Sequence, residues 1–307
     1  MRKILRKFFN FLPFNEEILL NYYLKKEKDI NSNKNKHLRV RVLNYYSNKL
    51  RLMMRKINYQ HPILVTNKGI YVSLDGILLN AEKCNRYFKI PGGKWGNEGK
   101  KLYEFLESKN IKVNNMIDLG ANQGEICLYF AKQNSKAKIL AVEPSSESFK
   151  ILKSNCELQN FSTNNITLIQ EAASDRKGEV EISKGCGGEN SIIEKINQPN
   201  GREIVKTDTL ESLMERYNFN EVDFIKIDIE GAEPLLYDSL KNIINKVRAI
   251  YLEVGDRIEH KKYFSLAELL HNSGMSCYYG DLKLDSVDII KEKITNTSLL
   301  DLWFIKE

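Results

Sequence analysis

The sequence has few of the residues that build metal centres and disulfide frameworks. Its five cysteines are odd in number and widely spaced, no two of them form a Cys-x-x-Cys pair, and its four histidines are isolated. Zinc sites and the disulfide frameworks of small secreted proteins both depend on such groupings. The sequence therefore predicts neither kind of site, and it predicts mostly buried, free thiols in a reducing compartment.

Long apolar runs are also absent. No stretch of the sequence approaches the roughly 18 to 20 apolar residues that a transmembrane helix requires. The chain begins with basic side chains, but Asn10 and Pro13 interrupt the apolar part that follows, and Glu16 and Glu17 come next. Because no small-residue cleavage site is present either, the segment does not predict a secretory signal peptide. We expect a cytoplasmic protein.

Acidic residues are scarce near the N-terminus. Residues 1–60 hold 15 Lys and Arg against 4 Asp and Glu, whereas the rest of the chain is mildly acidic although the whole carries +7. Apolar and basic residues alternate there at helical spacing, which predicts a basic, partly helical extension. Such a segment either packs on a neighbouring domain or lies on an anionic membrane surface, here the inner face of the membrane. No nucleic-acid-binding module is recognisable, so nucleic acid is not an expected partner.

The rest of the chain divides into a short β segment and a larger α/β domain. Residues 61–113 contain short strands, with turns at residues 67–69 and at Asp75-Gly76, and then a lead-in helix. From residue 114 to residue 307, short apolar strands alternate with amphipathic helices. This alternation predicts a parallel sheet covered by helices on both faces. Ligands bind such sheets beyond the carboxyl ends of the strands, so the residues that follow each strand are the site candidates.

Two local sequences in this domain make specific predictions. Ser265 and Glu268 form a capping box at the start of a helix. The connection over residues 184–203 is long and rich in glycine, which favours a binding loop or disorder. If it is a binding loop, its candidate acceptor contacts are Glu189, Asn190 and Ser191.

The turn after the first strand of the domain, Asp118 to Gly124, reads "DLGANQG". The dinucleotide fingerprint Gly-x-Gly-x-x-Gly is absent, because the first glycine after Gly120 is Gly124. An acid at the end of this strand suits a cationic ligand better than a pyrophosphate. The amino-acid end and the sulfonium of S-adenosylmethionine meet that need.

The next two strands also end in candidate binding residues. Glu143, followed by Pro144, ends the second strand, and its carboxylate can accept both hydroxyls of a ribose. The third strand leads to Ala172 and Asp175, which we expect beside an adenine.

Four motifs occur in a fixed order over roughly residues 95–255: "MIDLGANQGEICLYFA", "AVEPSSESFKILKSN", "AASDRKGEVEI" and "VDFIKIDIEGAEPLL". In these motifs the sequence resembles the FkbM family of S-adenosylmethionine-dependent methyltransferases. The resemblance implies the class I methyltransferase fold, a Rossmann-like, doubly wound α/β sheet of seven strands with an antiparallel last strand. It also implies O-methylation of sugars in glycans or glycolipids, or of polyketide-like natural products. By this resemblance the methionine end of the cofactor is held by Asp118, Gly120, Ala121, Asn122 and Gly124, the ribose by Glu143, and the adenine side by Asp175.

Charged residues follow the fourth strand, "DFIKID". Methyl transfer from a sulfonium is an in-line displacement, and a positioned base helps to remove the proton of the acceptor hydroxyl. Asp228 ends the strand and is the first candidate for the base, and Lys226 lies on the same face and pairs with it or contacts the acceptor. Glu230 in the loop and Glu253 at the end of the next strand complete the set of candidate catalytic residues. Two such carboxylates can also hold a divalent cation, but no ligand set favours one, so no metal site is predicted.

Glu233 has a structural interpretation. It precedes Pro234, which fits the first helical position, and its charge favours the helix dipole. We therefore expect it to lie at a helix start rather than in the chemistry.

Two other functions stay open on the sequence alone. One is an NAD-binding enzyme, against which the acid before the turn and the missing third glycine both count. The other is a catalytically inactive Rossmann-fold scaffold, against which the acids retained at successive strand ends count.

Overall fold

In the computed structural model, the structure describes residues 63–65, 70–80, 97–183, 201–255 and 258–307. The expected basic extension and the three candidate loop residues Glu189, Asn190 and Ser191 lie outside these ranges. The described part divides between Lys100 and Lys101 into two units, which are treated separately.

The first unit contains a three-stranded antiparallel sheet in the order β1-β2-β3. Its strands are β1 (Ile63–Val65), β2 (Ile70–Leu74) and β3 (Ile77–Asn80). The turn between β2 and β3 consists of Asp75 and Gly76, with φ of 47° and 81°. Two successive residues with positive φ are the signature of the two-residue hairpin turn that Asp-Gly favours, so the hairpin is confirmed.

The second unit contains the remaining strands and helices. Its strands are β4 (Asn115–Leu119), β5 (Lys138–Val142), β6 (Ile166–Ile169), β7 (Ala172–Ala173), β8 (Gly178–Ser183), β9 (Arg202–Asp208), β10 (Val222–Ile227), β11 (Val247–Val254), β12 (Ser276–Tyr279), β13 (Leu282–Leu284) and β14 (Leu300–Ile305). Its α-helices are α1 (Glu98–Ser108, which begins in the first unit), α2 (Glu125–Gln133), α3 (Ser146–Glu157), α4 (Leu210–Arg216), α5 (Tyr237–Ile243), α6 (Phe264–Asn272) and α7 (Val287–Asn296). Short 3₁₀ turns cover Glu233–Leu236, Ile244–Lys246 and His260–Tyr263.

The central sheet has eight strands in the order β13-β12-β14-β11-β10-β4-β5-β6. The strands from β11 to β6 in this order pair in parallel, whereas β14 is antiparallel to both β11 and β12. The Rossmann-like sheet with an antiparallel last strand is therefore confirmed. The eighth strand, β13, pairs with β12 at the edge of the sheet. With three residues, two of them exposed, β13 is too short to give an alternation signal.

A second, smaller sheet has the order β7-β9-β8. The sequence predicted one strand over residues 165–173, but that segment splits, because β6 stays in the central sheet while β7 pairs in parallel with β9. The break falls at Glu171, whose carboxylate pairs with Arg216 on α4. Strand β9 was missed because its sequence, "REIVKTD", mixes charged and apolar residues.

One predicted helix start is wrong. Helix α6 continues directly from the 3₁₀ turn that ends at Tyr263, and no side chain caps it. Ser265 therefore has no free N-terminal position to cap, and Glu268 pairs with Lys291 on α7 at 3.2 Å instead. By contrast, α4 has a side-chain cap, because the Thr209 side chain accepts a hydrogen bond from the Ser212 N–H at 3.2 Å.

Aromatic rings pack one face of the central sheet against helices α1 and α2. Phe224 on β10 stacks on Phe130 of α2 at 5.3 Å between centroids and on Trp303 of β14 at 5.5 Å. Trp303 in turn stacks on Phe105 of α1 at 4.4 Å. Because side chains two residues apart on a strand share a face, this is also the face that carries Lys226.

Two further observations concern the whole described part. Its three cysteines, Cys127, Cys156 and Cys277, are free thiols. None of its helices has the length and apolar character needed to cross a membrane.

Candidate active site

The turn between β4 and α2 is shaped by two glycines in the left-handed region. Gly120 has φ of +76°, and a Cβ added there would lie 1.8 Å from the backbone oxygen of Asp228. Gly124 has φ of +89°, and a Cβ there would lie 2.5 Å from Cδ1 of Leu152. The sequence assigned these glycines to the approach of a ligand. The close approach of the chain that follows β10 requires a glycine at position 120 in any case.

Three charged residues meet beneath this turn. Lys226 Nζ lies 3.1 Å from Oδ2 of Asp228 and 3.5 Å from Oδ1 of Asp118. It also donates hydrogen bonds to the backbone oxygens of Leu119 at 3.2 Å and Gly120 at 2.8 Å. Burial alone lowers the pKa of Lys226, but the charges of Asp228 and Asp118 outweigh it and raise the pKa. The ammonium therefore stays charged and ties β10 to the turn.

Asp118, predicted at the methionine end of the cofactor, is fully buried at the end of β4. The Lys226 ammonium lies opposite it, 3.5 Å from its Oδ1. Burial raises the pKa of Asp118, and Lys226 opposes that shift.

Asp228 and Glu253 form a carboxyl pair at the ends of neighbouring strands. Burial raises the pKa of Glu253, and the charge of Asp228 and a hydrogen bond to Asp228 raise it further. The raised pKa favours the neutral form of Glu253, whereas Asp228 pairs with the Lys226 ammonium at 3.1 Å. The side chain of Asp228 is 30% exposed, so this carboxylate is accessible to a ligand.

The register of the sheet adds two residues that the sequence did not single out. Tyr251 lies opposite Lys226, and Asp301 lies opposite Glu253 on the antiparallel strand β14. Burial and the charge of Asp301 raise the pKa of Tyr251. Tyr251 lies two residues before Glu253 on β11, and Asp301 lies near the start of β14. The sequence could have indicated these two residues only if the pairing of β11 with β14 had been known.

Glu230 and Glu233 lie in the turn that follows Asp228 and have different surroundings. Glu230 is half-buried, with φ of 59°, and Gly231 follows with φ of 96°. Glu233 is buried, and its Oε1 accepts hydrogen bonds from the N–H groups of Ile229 at 2.8 Å and Gly231 at 3.3 Å. It lies at a helix start, as expected, but its carboxylate reaches back to the turn instead of capping the helix.

Glu143 is held in a fixed orientation at the end of β5. Its Oε2 accepts a hydrogen bond from Asn122 N–H at 2.8 Å and its Oε1 from Ser145 N–H at 2.9 Å. Burial raises its pKa to about 7, although both hydrogen bonds lower it. Each carboxylate oxygen retains a lone pair for one more donor, as a ribose would require. Pro144, between the two bonded segments, is half-buried.

The two residues expected beside the adenine, Ala172 and Asp175, have different surroundings. Ala172 is buried in β7, whereas Asp175 is exposed and contacts only near neighbours here, with Ser174 Oγ at 3.1 Å and Arg176 Nη1 at 3.8 Å. The structure therefore does not join Asp175 to the rest of the site. Buried Asp208, opposite Ala173 on β9, was missed because β9 itself was missed.

The residues of the β4–α2 turn fit the amino-acid end of S-adenosylmethionine. Ala121 and Gln123 are buried there, and Asn122 is half-buried with φ of 48°. Within the described ranges, Oδ1 of Asn122 and both polar atoms of the Gln123 amide are buried without a hydrogen bond. Buried polar groups are normally satisfied, so these atoms indicate a polar ligand at the turn. Gln123 was not among the predicted residues, because nothing in its spacing distinguishes it.

Carboxylates at the acceptor side raise the question of a metal. No group of three or more His, Cys, Asp or Glu side chains that could hold a metal ion occurs in the part of the chain that the structure describes.

Known proteins similar to this chain are methyltransferases. The family model described as "Methyltransferase FkbM domain" matches residues 118–275, about half of the chain. The 2-O-methyltransferase NoeI of Sinorhizobium fredii (strain NBRC 101917 / NGR234) is 25% identical over 213 residues, which cover 64% of this chain and 86% of that protein.

Two solved structures are also similar. An O-methyltransferase from Bacillus cereus in complex with SAH has a TM-score of 0.41 at 15% identity, over 69% of this chain and 81% of that one. Precorrin-6y C5,15-methyltransferase from Geobacter metallireducens GS-15 has a TM-score of 0.38 at 11% identity, over 67% of this chain and 87% of that one.

The family match covers the β4–α2 turn, the acid after β5 and the end of β10, which carried the predicted resemblance. The resemblance is therefore confirmed, and with it a methyltransferase rather than an NAD-binding enzyme.

Proposed function

The chain belongs to the FkbM family of S-adenosylmethionine-dependent methyltransferases, and we propose that it is an O-methyltransferase acting on a hydroxyl of a saccharide, in a glycan or a glycolipid. The observation that carries the proposal is the accessible carboxylate of Asp228 at the end of β10, 3.1 Å from the Lys226 ammonium. The relative NoeI, itself a 2-O-methyltransferase, supports transfer to oxygen.

We assign cofactor binding first to the residues of the β4–α2 turn whose buried polar atoms have no hydrogen-bond partner among the described residues. Asn122 and Gln123 would hold the amino-acid end, and Glu143 would hold the ribose hydroxyls. When bound, S-adenosylmethionine supplies a methyl group on a positively charged sulfur. Gly120 lies against the backbone of Asp228, so the end of β10 is the part of the sheet nearest to this turn on the acceptor side.

The acceptor side is assigned to Asp228 as general base. A hydroxyl in contact with the exposed part of its carboxylate would donate its proton to Oδ1 or Oδ2 as the oxygen is methylated. The Lys226 ammonium, 3.1 Å from that carboxylate, would favour its charged form before the transfer. Glu253, whose pKa is raised by burial and by Asp228, would not compete for the proton as a second base. Glu230 stands at the rim of the same turn, where its charge would meet a neighbouring hydroxyl.

A labelled-methyl assay tests this proposal. Purified full-length protein is incubated with tritiated S-adenosylmethionine and a panel of methyl glycosides, an oligosaccharide mixture and a macrolide. We expect label in a saccharide, and we expect Asp228→Asn to lower kcat by roughly a hundredfold or more, within the range of general-base catalysis. The matched control is Asp238→Asn, which removes the charge of an exposed aspartate on α5.

Calorimetry with S-adenosylhomocysteine separates binding from chemistry. Asp228→Asn should bind it as wild type does, because the cofactor contacts are assigned elsewhere. Label in the macrolide alone would move the acceptor to the polyketide class. Binding without label in any acceptor would favour an inactive scaffold.

The basic residues 1–60 suggest the place at which the enzyme binds its acceptor. We propose that this extension holds the enzyme on an anionic membrane, where lipid-linked saccharides are accessible. Sedimentation with vesicles that contain phosphatidylglycerol should enrich the full chain and not a chain that begins at residue 61. Equal sedimentation of the two would remove the membrane from the proposal.

A further inference from the structure

The peptide group between Asp228 and Ile229 is held on both of its sides. Its carbonyl oxygen, which belongs to Asp228, lies so close to Gly120 that a Cβ there would be 1.8 Å from it. Its N–H, which belongs to Ile229, donates a hydrogen bond to Oε1 of Glu233 at 2.8 Å. The C=O and N–H of a trans peptide lie in one plane and point in opposite directions. The bond to Glu233 therefore also orients the carbonyl that faces the β4–α2 turn.

Glu233 supports the rest of the turn as well. The same Oε1 accepts a second hydrogen bond from the N–H of Gly231 at 3.3 Å. Glu230, which lies between the two donors, has φ of 59°, and Gly231 has φ of 96°. A residue with a side chain rarely adopts positive φ. The two bonds to Glu233 therefore stabilise a turn that Glu230 disfavours.

The Glu233 side chain is itself fixed. It is 1% exposed, and its Oε2 accepts a hydrogen bond at 3.0 Å from the hydroxyl of Tyr263, which has no exposed surface. No side-chain hydrogen bond caps the 3₁₀ turn that Glu233 begins, so capping does not account for the carboxylate. Both of its oxygens are bonded inside the protein. Its effect on the site must therefore pass through the backbone that it holds.

That backbone carries the proposed base. The Asp228 N–H donates to the backbone oxygen of Leu119 at 3.3 Å, and the Asp228 carboxylate lies 3.1 Å from Lys226 Nζ. A rotation of the Asp228–Ile229 peptide would drive the carbonyl oxygen into Gly120 or displace the Asp228 side chain. The orientation of this one peptide thus relates the position of the carboxylate to the position of the β4–α2 turn.

We propose that Glu233 is a positioning residue that holds the Asp228–Ile229 peptide against Gly120 and so keeps the base aligned with the cofactor turn. Tyr263 assists by fixing the second oxygen of the Glu233 carboxylate. The inference rests on the proposed function, in which Asp228 takes up the proton of the acceptor hydroxyl.

Glu233→Leu is the principal variant, because it removes both acceptor oxygens and leaves two N–H groups without a partner. We expect kcat to fall roughly tenfold or more, since small displacements of a reacting group are costly. Binding of S-adenosylhomocysteine should weaken about fivefold, because the cofactor turn loses its fixed contact at Gly120. Glu215→Leu, at an exposed position of α4, is the matched control for both measurements.

A conservative variant tests whether hydrogen bonding is the cause. Glu233→Gln keeps an oxygen that can accept from both N–H groups and gains an amide that can donate to the Tyr263 hydroxyl. We expect its kcat to stay within about threefold of wild type, since neutral hydrogen bonds are weaker than charge-assisted ones. If Gln at this position impairs kcat as severely as Leu does, the hydrogen bonds are not what Glu233 contributes.

Hydrogen exchange provides a readout that needs no acceptor. In Glu233→Leu the amides of Ile229 and Gly231 should exchange about tenfold faster than in Glu215→Leu, while peptides from β13 should not change. In wild type, S-adenosylhomocysteine should slow the exchange of the Ile229 amide, because the cofactor turn contacts the same peptide through Gly120. In Glu233→Leu this slowing should be lost.

A second variant is available if Glu233→Leu folds poorly. Tyr263→Phe removes one hydroxyl, keeps the buried ring and leaves the two bonds of Oε1 in place. It should lower kcat by about threefold and speed exchange at Ile229 by a similar factor. Tyr279→Phe, on the more exposed end of β12, is its control.

The outcomes separate this inference from the proposed function. The positioning role is wrong if the variant that folds lowers only the melting temperature, while its kcat, cofactor binding and exchange at Ile229 match its control. If wild type labels no acceptor, the proposed function fails. The exchange of Ile229 with and without S-adenosylhomocysteine then still decides whether Glu233 connects this peptide to the cofactor turn.

Discussion

The ammonium of Lys226 lies 3.1 Å from the carboxylate of Asp228, and the two side chains differ sharply in exposure, at 3% and 30%. The buried ammonium of Lys226 therefore forms an ion pair with the accessible carboxylate of Asp228. The same ammonium opposes fully buried Asp118 and binds two backbone oxygens of the β4–α2 turn. One side chain thus supports both the cofactor turn and the proposed base.

Lys226→Met should be strongly destabilising. The substitution leaves the buried charge of Asp118 without a counter-charge, and breaking a buried ion pair in this way costs about 3 to 5 kcal/mol. Denaturant unfolding of the full chain measures the effect, and Lys246→Met on the surface is the control.

A second substitution identifies the cause. In Lys226→Met/Asp118→Asn the uncompensated charge is gone, so part of the lost free energy of unfolding should return. A double variant as unstable as Lys226→Met would mean that the ion pair is not what Lys226 contributes.

Gly120→Ala separates close approach from backbone strain. Gly120 and Gly201 both have positive φ, +76° and +80°, but a Cβ at Gly201 would meet nothing within 4 Å, whereas at Gly120 it would meet the Asp228 oxygen at 1.8 Å. Gly201→Ala should cost about 1 kcal/mol from the backbone conformation alone. Gly120→Ala should cost roughly 3 kcal/mol or more beyond that, because backbone atoms must move. Similar losses in the two variants would contradict the contact between the turn and β10.

The stability of the protein should depend on pH through Glu143. Its pKa is about 7 in the folded chain against 4.5 as its ordinary value, so the folded state binds the proton more tightly. Stability relative to Glu143→Gln should therefore fall as the pH rises from about 4.5 to about 7, and the difference should be constant outside that window. Each unit of difference between the folded and unfolded pKa corresponds to about 1.4 kcal/mol in the free energy of unfolding.

Unfolding of wild type and Glu143→Gln at about pH 5 and about pH 8 measures this dependence. Glu147→Gln, at an exposed position on α3, is the control and should show no such difference from wild type. A difference between wild type and Glu143→Gln that does not change with pH would contradict the assignment.

The parallel sheet with its helices was predictable because it depends on a repeated local pattern. Apolar strands alternate with amphipathic helices, Asp118 lies near the end of β4, and Glu143 and Asp228 directly follow β5 and β10. The sequence thus located the edge of the sheet where the site lies. The pairing of β7 with β9 was not predictable, because a strand of two residues carries no period.

The contacts that orient the site could not be read from local spacing. Tyr263 reaches Glu233 from an element 30 residues away, and Asp301 reaches the pair only through the pairing of β11 with β14. Partners across a sheet depend on register, which a single strand does not encode.

The fit of Gly120 against the backbone of Asp228 also limits how this enzyme can be re-engineered. At this contact the donor half and the acceptor half of the site meet through main-chain atoms, which cannot be exchanged to absorb a shift. A chimaera that takes a new acceptor strand from a relative should therefore also take that relative's β4–α2 turn. Recombination with a boundary between residues 119 and 229 would pair two surfaces that were never fitted to each other.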